Sequence, residues 1–386
     1  MLFPLNGGKT FAKTVFLCHN VGMEKYKIIY KDLFYKIKSG ELPSGTVLPK
    51  ESELAKAYGV SVITVKTALN LLKDDGLVLR KRRLGTVVKN GVVNNSGEKF
   101  VAIVSSNFDH LNMRFIHALT EIAVRENLKL SFFDSRASEE KEREILQYLL
   151  SEPLSGLILM PVSEKSNVDL ISTYAIRKIP TVFLDFQNLA YHAPVVTSNN
   201  FKGMYEMTAY LVKCGHREIG FFPFTQGAYP TENERFQGYC KALSDHGIPL
   251  KREYLFPSSA KNIYEMIGAA MREDYAAAKP LYEQYAKLVL KPTAIVCVND
   301  LCAAAAISVL RSHGASVPDD VSVTGFDNLA VSVKNDITTV AQDFAEISKT
   351  ALKTLIALMK GNVTQPKEVR LPTVIIRRSS VNELQG

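Results

Sequence analysis

From residue 100 onward, short apolar, β-rich runs alternate with helical segments, and this alternation restricts the fold more than any other feature. Helical patterns such as Arg114–Glu126 and Glu139–Leu150 separate the runs. The runs are Phe100–Val104, Leu128–Phe133, Gly156–Met160, Thr181–Leu184, Glu218–Phe222, Thr293–Val298 and Val321–Gly325. Nearly continuous apolar strands joined by helices predict doubly wound parallel sheets with helices on both faces. Because about 290 residues exceed one ordinary core, we expect two α/β lobes.

The first quarter of the chain follows a different, helical pattern. Apolar residues at helical spacing predict three helices, which span Tyr26–Lys38, Glu51–Tyr58 and Ser61 to the stop at Gly76. Two short helices joined by a tight turn, here at Gly59, are typical of a helix-turn-helix. Strands over Leu77–Leu79 and Thr86–Val88 complete a hairpin, or wing.

The net charge of +8 lies almost entirely in this first quarter. Residues 24–96 hold 14 Lys and Arg against 7 Asp and Glu, whereas the residues after 96 sum to −1. The wing tip alone carries four consecutive cations, Arg80–Arg83. This asymmetry is typical of a polyanion-binding module attached to a neutral domain. The alternative is a protein-binding winged helix with an ordinary solvated basic face.

The segment Tyr26–Val88 resembles the winged helix-turn-helix of the GntR family of bacterial transcription regulators. The matching residues are Leu48-Pro49, Glu51, Glu53-Leu54-Ala55, Gly59-Val60-Ser61, Thr64-Val65, Ala68-Leu69, Leu72, Gly76-Leu77 and Gly85-Thr86. The resemblance implies binding to double-stranded operator DNA, with the third helix in the major groove. The candidate DNA-binding residues are Ser52, Ser61, Val62, Ile63, Thr64, Lys66, Thr67, Arg80, Arg82, Arg83 and Gly85.

Three of these positions depart from the family's pattern. The family commonly has arginine where Ser52 and Val62 stand, and often where Lys66 stands. Val62 forms no hydrogen bond to a base, although it and Ile63 suit contact with a thymine methyl group. We therefore expect DNA binding, but not the family's usual operator sequence.

In the α/β region, polar residues follow the ends of several predicted strands. They are Asp109, Asp185, Asn299 with Asp300, and Asp327. In parallel α/β sheets ligands lie at this edge, and carboxylates, amides and an arginine such as Arg235 suit the vicinal hydroxyls of a sugar. For each residue alone, a helix N-cap is the more frequent role of an Asp or Asn that follows a strand. Only their joint placement favours a binding site.

Residues from Phe100 to Ser380 resemble the effector domain of LacI-family repressors and the related periplasmic sugar-binding proteins. The matching stretches are Ile179–Asp185, Gly215–Ile219, Glu234–Tyr239, Val298–Asp300, Pro318–Asp327, Thr338–Val340 with Gln342, and Leu371–Arg377. The resemblance implies two lobes that close over a small effector. It carries effector contacts onto Asp109, Asp185, Arg235, Asn299, Asp327 and Gln342. It also implies three crossings between the lobes, near 195–200, 336–341 and 361–368.

This region also departs from its family. Leu111-Asn112 replaces the usual aromatic pair, Phe186 stands where arginine is common, and Asn199 stands where aspartate is frequent. The segment Ala260–Lys291 is longer than usual and rich in tyrosine. We therefore expect the ligand to differ in detail from those of other family members.

These observations predict a specific order of domains. A leader over residues 1–23 is either disordered or an extension upstream of a natural start at Met23. A winged helix-turn-helix over 24–89 and a polar linker over 90–99 precede a two-lobed, periplasmic-binding-protein-like domain over 100–386. We expect the first lobe at about 100–196 and 341–361, and the second at about 200–336 and 367–380.

Several classes of protein are excluded or disfavoured. No run reaches the roughly 18 apolar residues of a membrane helix. The five cysteines are scattered without zinc-ligand spacing, which favours reduced thiols in a cytoplasmic protein and no metal. No phosphate-binding or nucleophile motif appears, so we expect no cofactor and no enzyme activity. An α/β enzyme acting on a sugar or nucleoside, fused to a DNA-binding domain, is the alternative.

The sequence thus predicts a chimeric, homodimeric repressor that resembles arabinose-responsive repressors. We expect a monosaccharide or disaccharide effector to control its affinity for operator DNA. The linker lacks the helical pattern of the LacI hinge helix, so the signal is expected to pass through dimer geometry. The particular sugar, and whether it induces or co-represses, stay open.

Overall fold

The computed structural model describes residues 3–4, 10–11, 25–38, 41–81, 84–89, 99–106, 119–223, 229–258, 278–362 and 368–384. The chain forms two units. The first comprises Met1–Glu98 with Ser151–Pro153, and the second comprises Lys99–Leu150 with Leu154–Gly386. Within the leader, Phe3–Pro4 (β1) and Thr10–Phe11 (β2) form a short antiparallel pair.

The first unit contains the predicted winged helix-turn-helix. Its helices are Lys25–Lys38 (α1), Glu51–Tyr58 (α2) and Val62–Asp74 (α3), and its wing strands are Val78–Lys81 (β3) and Gly85–Val88 (β4). The wing strands pair antiparallel, with Val78 opposite Val88. All three helices bury apolar residues in one core, which includes Ile29, Leu33, Leu54, Val65, Leu69 and Leu72. The predicted helical spacing is confirmed, because each of these residues lies on the inner face of its helix.

Local signals in the sequence set the turn that orients α3. Gly59 ends α2 with φ 65°, a left-handed conformation that glycine adopts without a Cβ clash. Ser61 then caps α3, because its Oγ accepts a hydrogen bond from the Thr64 N–H at 3.2 Å. Between α1 and α2, the Asp32 carboxylate accepts hydrogen bonds from the Tyr58 hydroxyl and from Lys36. These contacts fix the face that α3 presents to solvent.

The first lobe of the second unit is a six-stranded parallel sheet. Its strands are Lys99–Ser105 (β5), Leu128–Asp134 (β6), Leu154–Leu159 (β7), Thr181–Leu184 (β8), Val195–Ser198 (β9) and Glu368–Leu371 (β14). They lie in the order β14-β9-β8-β7-β5-β6. Its helices are residues 119–125 (α4), Glu139–Leu149 (α5), Val168–Ile176 (α6) and Phe344–Met359 (α12).

The second lobe is a five-stranded sheet. Its strands are Ile219–Phe222 (β10), Ala294–Cys297 (β11), Ser322–Asp327 (β12), Thr338–Gln342 (β13) and Thr373–Ile376 (β15). They lie in the order β10-β11-β12-β13-β15, and only the β13–β15 pair is antiparallel. Its helices are Asn200–Lys213 (α7), Pro230–Asp245 (α8), Lys279–Lys287 (α9), Asp300–Ser312 (α10) and Ala330–Lys334 (α11). The predicted two-lobed fold with parallel sheets is confirmed.

The crossings between the lobes correct two of the predicted boundaries. The first crossing follows β9, at Asn199. The second was predicted near 336–341, but β13 stays in the second sheet to Gln342, so the chain crosses at Asp343. The third was predicted near 361–368. Instead β14 pairs with β9 and becomes the edge strand of the first sheet. Because this pairing extends to Leu371, the chain crosses at Pro372.

Helix α10 packs closely on the sheet of the second lobe because its buried side chains are small. Ala303–Ala306 are all buried, and small side chains allow the helix to pack closely on the sheet. The first residues of α10 therefore lie against the ends of the neighbouring strands. Strand β12 carries the fully buried Phe326 immediately before Asp327. The apolar core thus positions the polar residues that follow it.

Three further observations concern the described part of the chain. Cys214, Cys297 and Cys302 are buried free thiols and Cys240 is half-buried. In the same ranges no group of three or more His, Cys, Asp and Glu side chains is placed to hold a metal ion. None of the described helices has both the length and the apolar character needed to cross a membrane.

Candidate DNA interface and effector site

Helix α3 presents the predicted DNA-binding residues to solvent. Val62 is 39% exposed and Ile63 is 75% exposed, although both are apolar. Lys66 and Thr67 are also exposed, whereas Thr64 is half-buried. The opposite face of α3 packs into the core through Val65, Ala68, Leu69 and Leu72. The first turn of α3 therefore offers an apolar surface outward.

The hydroxyl groups on this part of α3 are engaged within the helix. Ser61 Oγ lies 2.8 Å from Thr64 Oγ1, in addition to accepting the Thr64 N–H. Thr67 Oγ1 donates to the Ile63 carbonyl oxygen at 3.1 Å. These three predicted contacts with DNA thus have a structural role in the helix as well.

Glu51 links the wing to the recognition helix, and the sequence did not predict this role. Its carboxylate lies 2.7 Å from an Arg80 guanidinium nitrogen and 3.8 Å from Lys66 Nζ. The position of Glu51 at the start of α2 is already explained by the helix dipole, and no local pattern points to its contact with Arg80. Ser52 is exposed on the same turn, and Gly85 is exposed at the start of β4. Arg82 and Arg83 lie outside the described residues.

In the second lobe, Arg235 on α8 has a partner at each of its three guanidinium nitrogens. The residue is 9% exposed. One terminal nitrogen lies 3.2 Å from Asp327 Oδ1, the other donates to the Val298 carbonyl oxygen at 2.8 Å, and Nε donates to Asn200 Oδ1 at 2.9 Å. Charge-assisted hydrogen bonds of this kind fix both the position and the plane of the guanidinium group.

Two further side chains complete the cluster around Asp327. Gln342 Nε2 donates to Asp327 Oδ1 at 2.6 Å. The Arg235 guanidinium carbon lies 3.8 Å from the centroid of the Phe326 ring, which is cation–π geometry. The structure therefore brings Arg235, Asp327 and Gln342, all predicted effector contacts, into one cluster. Asn200 and Phe326 also belong to it, although the sequence had not indicated them.

Two predicted carboxylates occupy unusual backbone conformations at strand ends. Asp185 follows β8 with φ 65°, and Asp327 ends β12 with φ 104°. Non-glycine residues rarely adopt positive φ, and where they do so at a binding site the surrounding contacts hold them there. For Asp327 those contacts are Arg235 and Gln342. The backbone thus aims the Asp327 carboxylate along the carboxyl edge of the second sheet.

Asp185 is the described predicted contact from the first lobe. Burial raises the pKa of its carboxyl group, the positive charge of Arg235 lowers that pKa, and the Glu234 carboxylate raises it. The charges of Arg235 and Glu234 on α8, in the second lobe, therefore affect the pKa of Asp185 in the first lobe. Asp109, the other first-lobe candidate, lies outside the described residues.

Asn299 has the N-cap role that sequence reasoning left as the alternative. Its Oδ1 accepts the Cys302 N–H at 2.8 Å and so begins α10. Its neighbour Val298 supplies the carbonyl oxygen that Arg235 binds. Asn299 therefore lies beside the cluster and also stabilises a helix end.

Asp300, which the sequence analysis placed with Asn299 at a strand end but did not count among the effector contacts implied by the resemblance, is a fully buried carboxylate. It accepts hydrogen bonds from Thr339 Oγ1 at 2.5 Å and from the Leu329 N–H at 2.6 Å. Burial, and then the nearby Asp327 carboxylate, raise its pKa to about 7. A Cβ on Gly325 would lie 2.1 Å from Asp300 Oδ1. Asp300 thus ties the start of α10 to the end of β12, and its place beside Asn299 in sequence was the available signal.

An ion pair joins the two lobes next to Arg235. Arg370 on β14 donates to both carboxylate oxygens of Glu234 on α8, each at 2.8 Å. Arg370 also lies 2.7 Å from Glu368 on its own strand. No local pattern predicts this contact, because the two partners are 136 residues apart.

Two cavities lie near these residues. One, of about 740 Å³, is lined by Gln342 and by the crossing residues Asp343 and Pro372. The other, of about 410 Å³, lies between α8 and β10, where Phe221, Phe236 and the buried Glu232 line it. The second cavity combines aromatic walls with a carboxylate and borders the helix that carries Arg235.

Comparison with known proteins assigns a family to each domain. Residues 25–88 match the family described as bacterial regulatory proteins, gntR family. Residues 208–381 match the periplasmic binding protein-like domain. The two matches fall in the first and second units, respectively.

Relatives of similar length match this chain over most of its residues. The chain is 26% identical over 373 residues to an arabinose metabolism transcriptional repressor from Geobacillus stearothermophilus, covering 94% of this chain and 99% of that protein. It is 26% identical over 344 residues to the HTH-type transcriptional repressor PurR from Mannheimia succiniciproducens, covering 85% and 97%. A solved complex of the transcriptional regulator CelR with cellobiose has a TM-score of 0.63 at 19% identity, covering 86% of this chain and 100% of that one.

The fold and these similarities define a bacterial transcription regulator with separate DNA-binding and effector domains. The first domain matches the GntR family of helix-turn-helix proteins, and the second matches the periplasmic binding protein-like domain. The predicted chimeric architecture is confirmed.

Proposed function

We propose that this protein is a homodimeric repressor whose affinity for operator DNA is controlled by a monosaccharide or disaccharide bound by its second domain. The observation that carries the proposal is the Arg235–Asp327–Gln342 cluster at the carboxyl edge of the second sheet. A guanidinium, a carboxylate and an amide held this rigidly match the alternating donors and acceptors of neighbouring sugar hydroxyls. The similarity to an arabinose metabolism repressor supports a sugar as the effector.

The DNA-binding half of the proposal rests on charge and exposure. The first unit carries nearly all the net positive charge, and α3 exposes its predicted base-contacting face. Neutralising phosphates with Lys and Arg releases counterions, so the affinity should fall steeply as salt rises. A duplex selected from a random pool by the full-length protein tests this half. Loss of sequence preference at every salt concentration would overturn it.

The sugar half is tested by a thermal-shift screen against monosaccharides and disaccharides, with nucleotides and amino acids in parallel. A ligand that binds only the folded protein stabilises it, by about 2.7 kcal/mol at a concentration one hundred times Kd. The melting temperature of the protein therefore rises. Arg235→Ala and Asp327→Ala should abolish the shift and leave DNA binding intact. A response to a nucleotide or amino acid, with none to any sugar, would overturn the sugar assignment.

Coupling between the two domains requires different sugar affinities in two states of the dimer. A coupling free energy of about 1 to 3 kcal/mol is typical. The sugar then changes the affinity for DNA by the same factor by which DNA changes the affinity for the sugar. We propose that the sugar changes the spacing of the two winged helices on a two-fold operator. Light scattering should give the mass of a dimer, and operator affinity at fixed salt should change when the sugar is added. An unchanged affinity would remove the switch while leaving DNA binding in place.

We propose a regulatory and not an enzymatic role, acting in the cytoplasm where operator DNA lies. The named relatives are transcriptional repressors, which supports this choice. Recovery of the sugar unchanged after prolonged incubation with the protein, measured by chromatography, is the expected result.

A further inference from the structure

We infer that the first turn of α3 reads thymine methyl groups, with Val62 and Ile63 as the residues that determine operator specificity. The inference rests on the DNA-binding role proposed above and deepens it. It names the chemistry by which this chain recognises bases.

The first observation is that two apolar side chains at the start of α3 are exposed to water, which is unfavourable for apolar surface. The Ile63 side chain is 75% exposed and Val62 is 39% exposed, in adjacent positions at the start of the helix. Neither belongs to the core of the first unit, which is filled from the opposite face of α3. Apolar side chains at the N-terminal turn of a recognition helix lie where base edges are contacted in the major groove.

The second step is that neighbouring polar groups are already engaged. Ser61 and Thr64 bond to each other, and the Thr67 hydroxyl donates to the Ile63 carbonyl oxygen. Arg80 and Lys66 both lie against the Glu51 carboxylate. Within this described surface, the groups that face outward at the first turn without such an engagement are the two apolar side chains.

The third step is the chemistry of the major groove. Thymine is the base that presents a methyl group there, and contact with that methyl is the apolar readout available to a protein. A 5-methylcytosine presents the same methyl group, whereas uracil lacks it. A branched pair such as Val62 and Ile63 therefore suits a thymine-containing half-site. It offers no bidentate hydrogen bond for guanine.

The experiment uses the full-length protein and a duplex that it has selected from a random pool at fixed salt. Each thymine in the bound half-site is replaced in turn by deoxyuridine, which removes only the 5-methyl group. We expect a loss of affinity of roughly fourfold for each methyl that is contacted, measured by fluorescence anisotropy. Thymines outside the contacted positions should show no change.

One variant tests a proposed reader, and two further variants serve as controls. Ile63→Ser should lower affinity for the thymine duplex and reduce its preference over the deoxyuridine duplex. Ile176→Ser is the matched control, because Ile176 is an equally exposed isoleucine, at 79%, in the second unit. Lys66→Gln should weaken binding to both duplexes by the same factor, since a phosphate contact carries no base information.

The outcomes separate this inference from the proposed function. If no duplex is selected at all, the DNA-binding role fails. If a duplex is selected and bound equally well with thymine or deoxyuridine, methyl readout is wrong and the DNA-binding role stands. Methyl readout is also wrong if the selected half-site lacks thymine, or if Ile63→Ser keeps the full preference.

Discussion

Arg370 and Glu234 form a two-pronged ion pair, 2.8 Å on each side, that connects the last strand of the first lobe to the helix of the second lobe that carries Arg235. The pair is only partly exposed, and Arg370 is further held by Glu368. Since Glu234 precedes Arg235 directly, any movement between the lobes acts on the residue that holds Asp327. The bridge between the lobes and the candidate effector site therefore share one turn of α8.

The first prediction concerns this bridge. Arg370→Gln should raise the Kd for the sugar about three- to fivefold, because a partly exposed bidentate pair contributes up to about 1 kcal/mol to the arrangement of lobes that it spans. Isothermal calorimetry measures the change. The exchange Glu234→Arg with Arg370→Glu should recover part of the affinity. If the exchange is no better than either single change, the two side chains do not act as a pair.

A second prediction isolates the charge of Asp327. Asp327→Asn keeps the shape of the side chain but removes the negative charge that faces Arg235, so sugar affinity should fall at least about tenfold. The folded state should lose about 1 to 3 kcal/mol, since a buried guanidinium is left without its counter-charge. Calorimetry and urea unfolding measure the two effects. Asp336→Asn, at an exposed carboxylate in the same lobe, should change neither.

The third prediction is a pH dependence that arises from Asp300. Its pKa of about 7 in the folded protein exceeds its ordinary value of 3.8, so the folded state binds this proton more tightly than the unfolded state does. Its contribution to stability should therefore fall as the pH rises from about 4 to about 7, and stay constant above that range. Urea unfolding at several pH values should give a flatter profile for Asp300→Asn. A profile parallel to that of the unmodified protein would contradict the assignment.

A fourth prediction tests the close approach of Gly325 to Asp300. Gly325→Ala should cost at least about 2 kcal/mol of unfolding free energy, because the added Cβ would lie 2.1 Å from the Asp300 carboxylate, which is buried and hydrogen-bonded to Thr339 and Leu329. The same change made in an Asp300→Ala background should cost less. Chemical denaturation of the four proteins forms a double-mutant cycle. Equal costs in both backgrounds would mean that the contact is not what excludes alanine.

The sequence was most informative where a short stretch determines its own structure. Gly59 and Ser61 marked the turn and the cap of the recognition helix, and the apolar runs marked the strands of both sheets. The family resemblance named Arg235, Asp327 and Gln342 as effector contacts, and among these three only Asp327 was also marked by its place at the end of a predicted strand.

What the sequence did not reveal depends on pairs that are distant along the chain. Glu51 was explained by its helix terminus, and nothing in its surroundings pointed to Arg80. The effector contact was assigned to Asn299, although its neighbour Asp300 is the more deeply buried of the two. The third crossing was misplaced because β14 is a half-exposed edge strand without a strong apolar pattern. Its pairing with β9 is a tertiary contact that no local signal encodes.

That crossing also limits how the chain can vary. Strand β14 ends at Leu371 and β15 begins at Thr373, so the single residue Pro372 separates two strands that belong to different sheets. Deletion of that residue would draw one of the two strands along by one position and reverse which of its side chains face the core. The connection therefore cannot be shortened. Among natural or engineered variants of this protein, deletions should be absent from this connection.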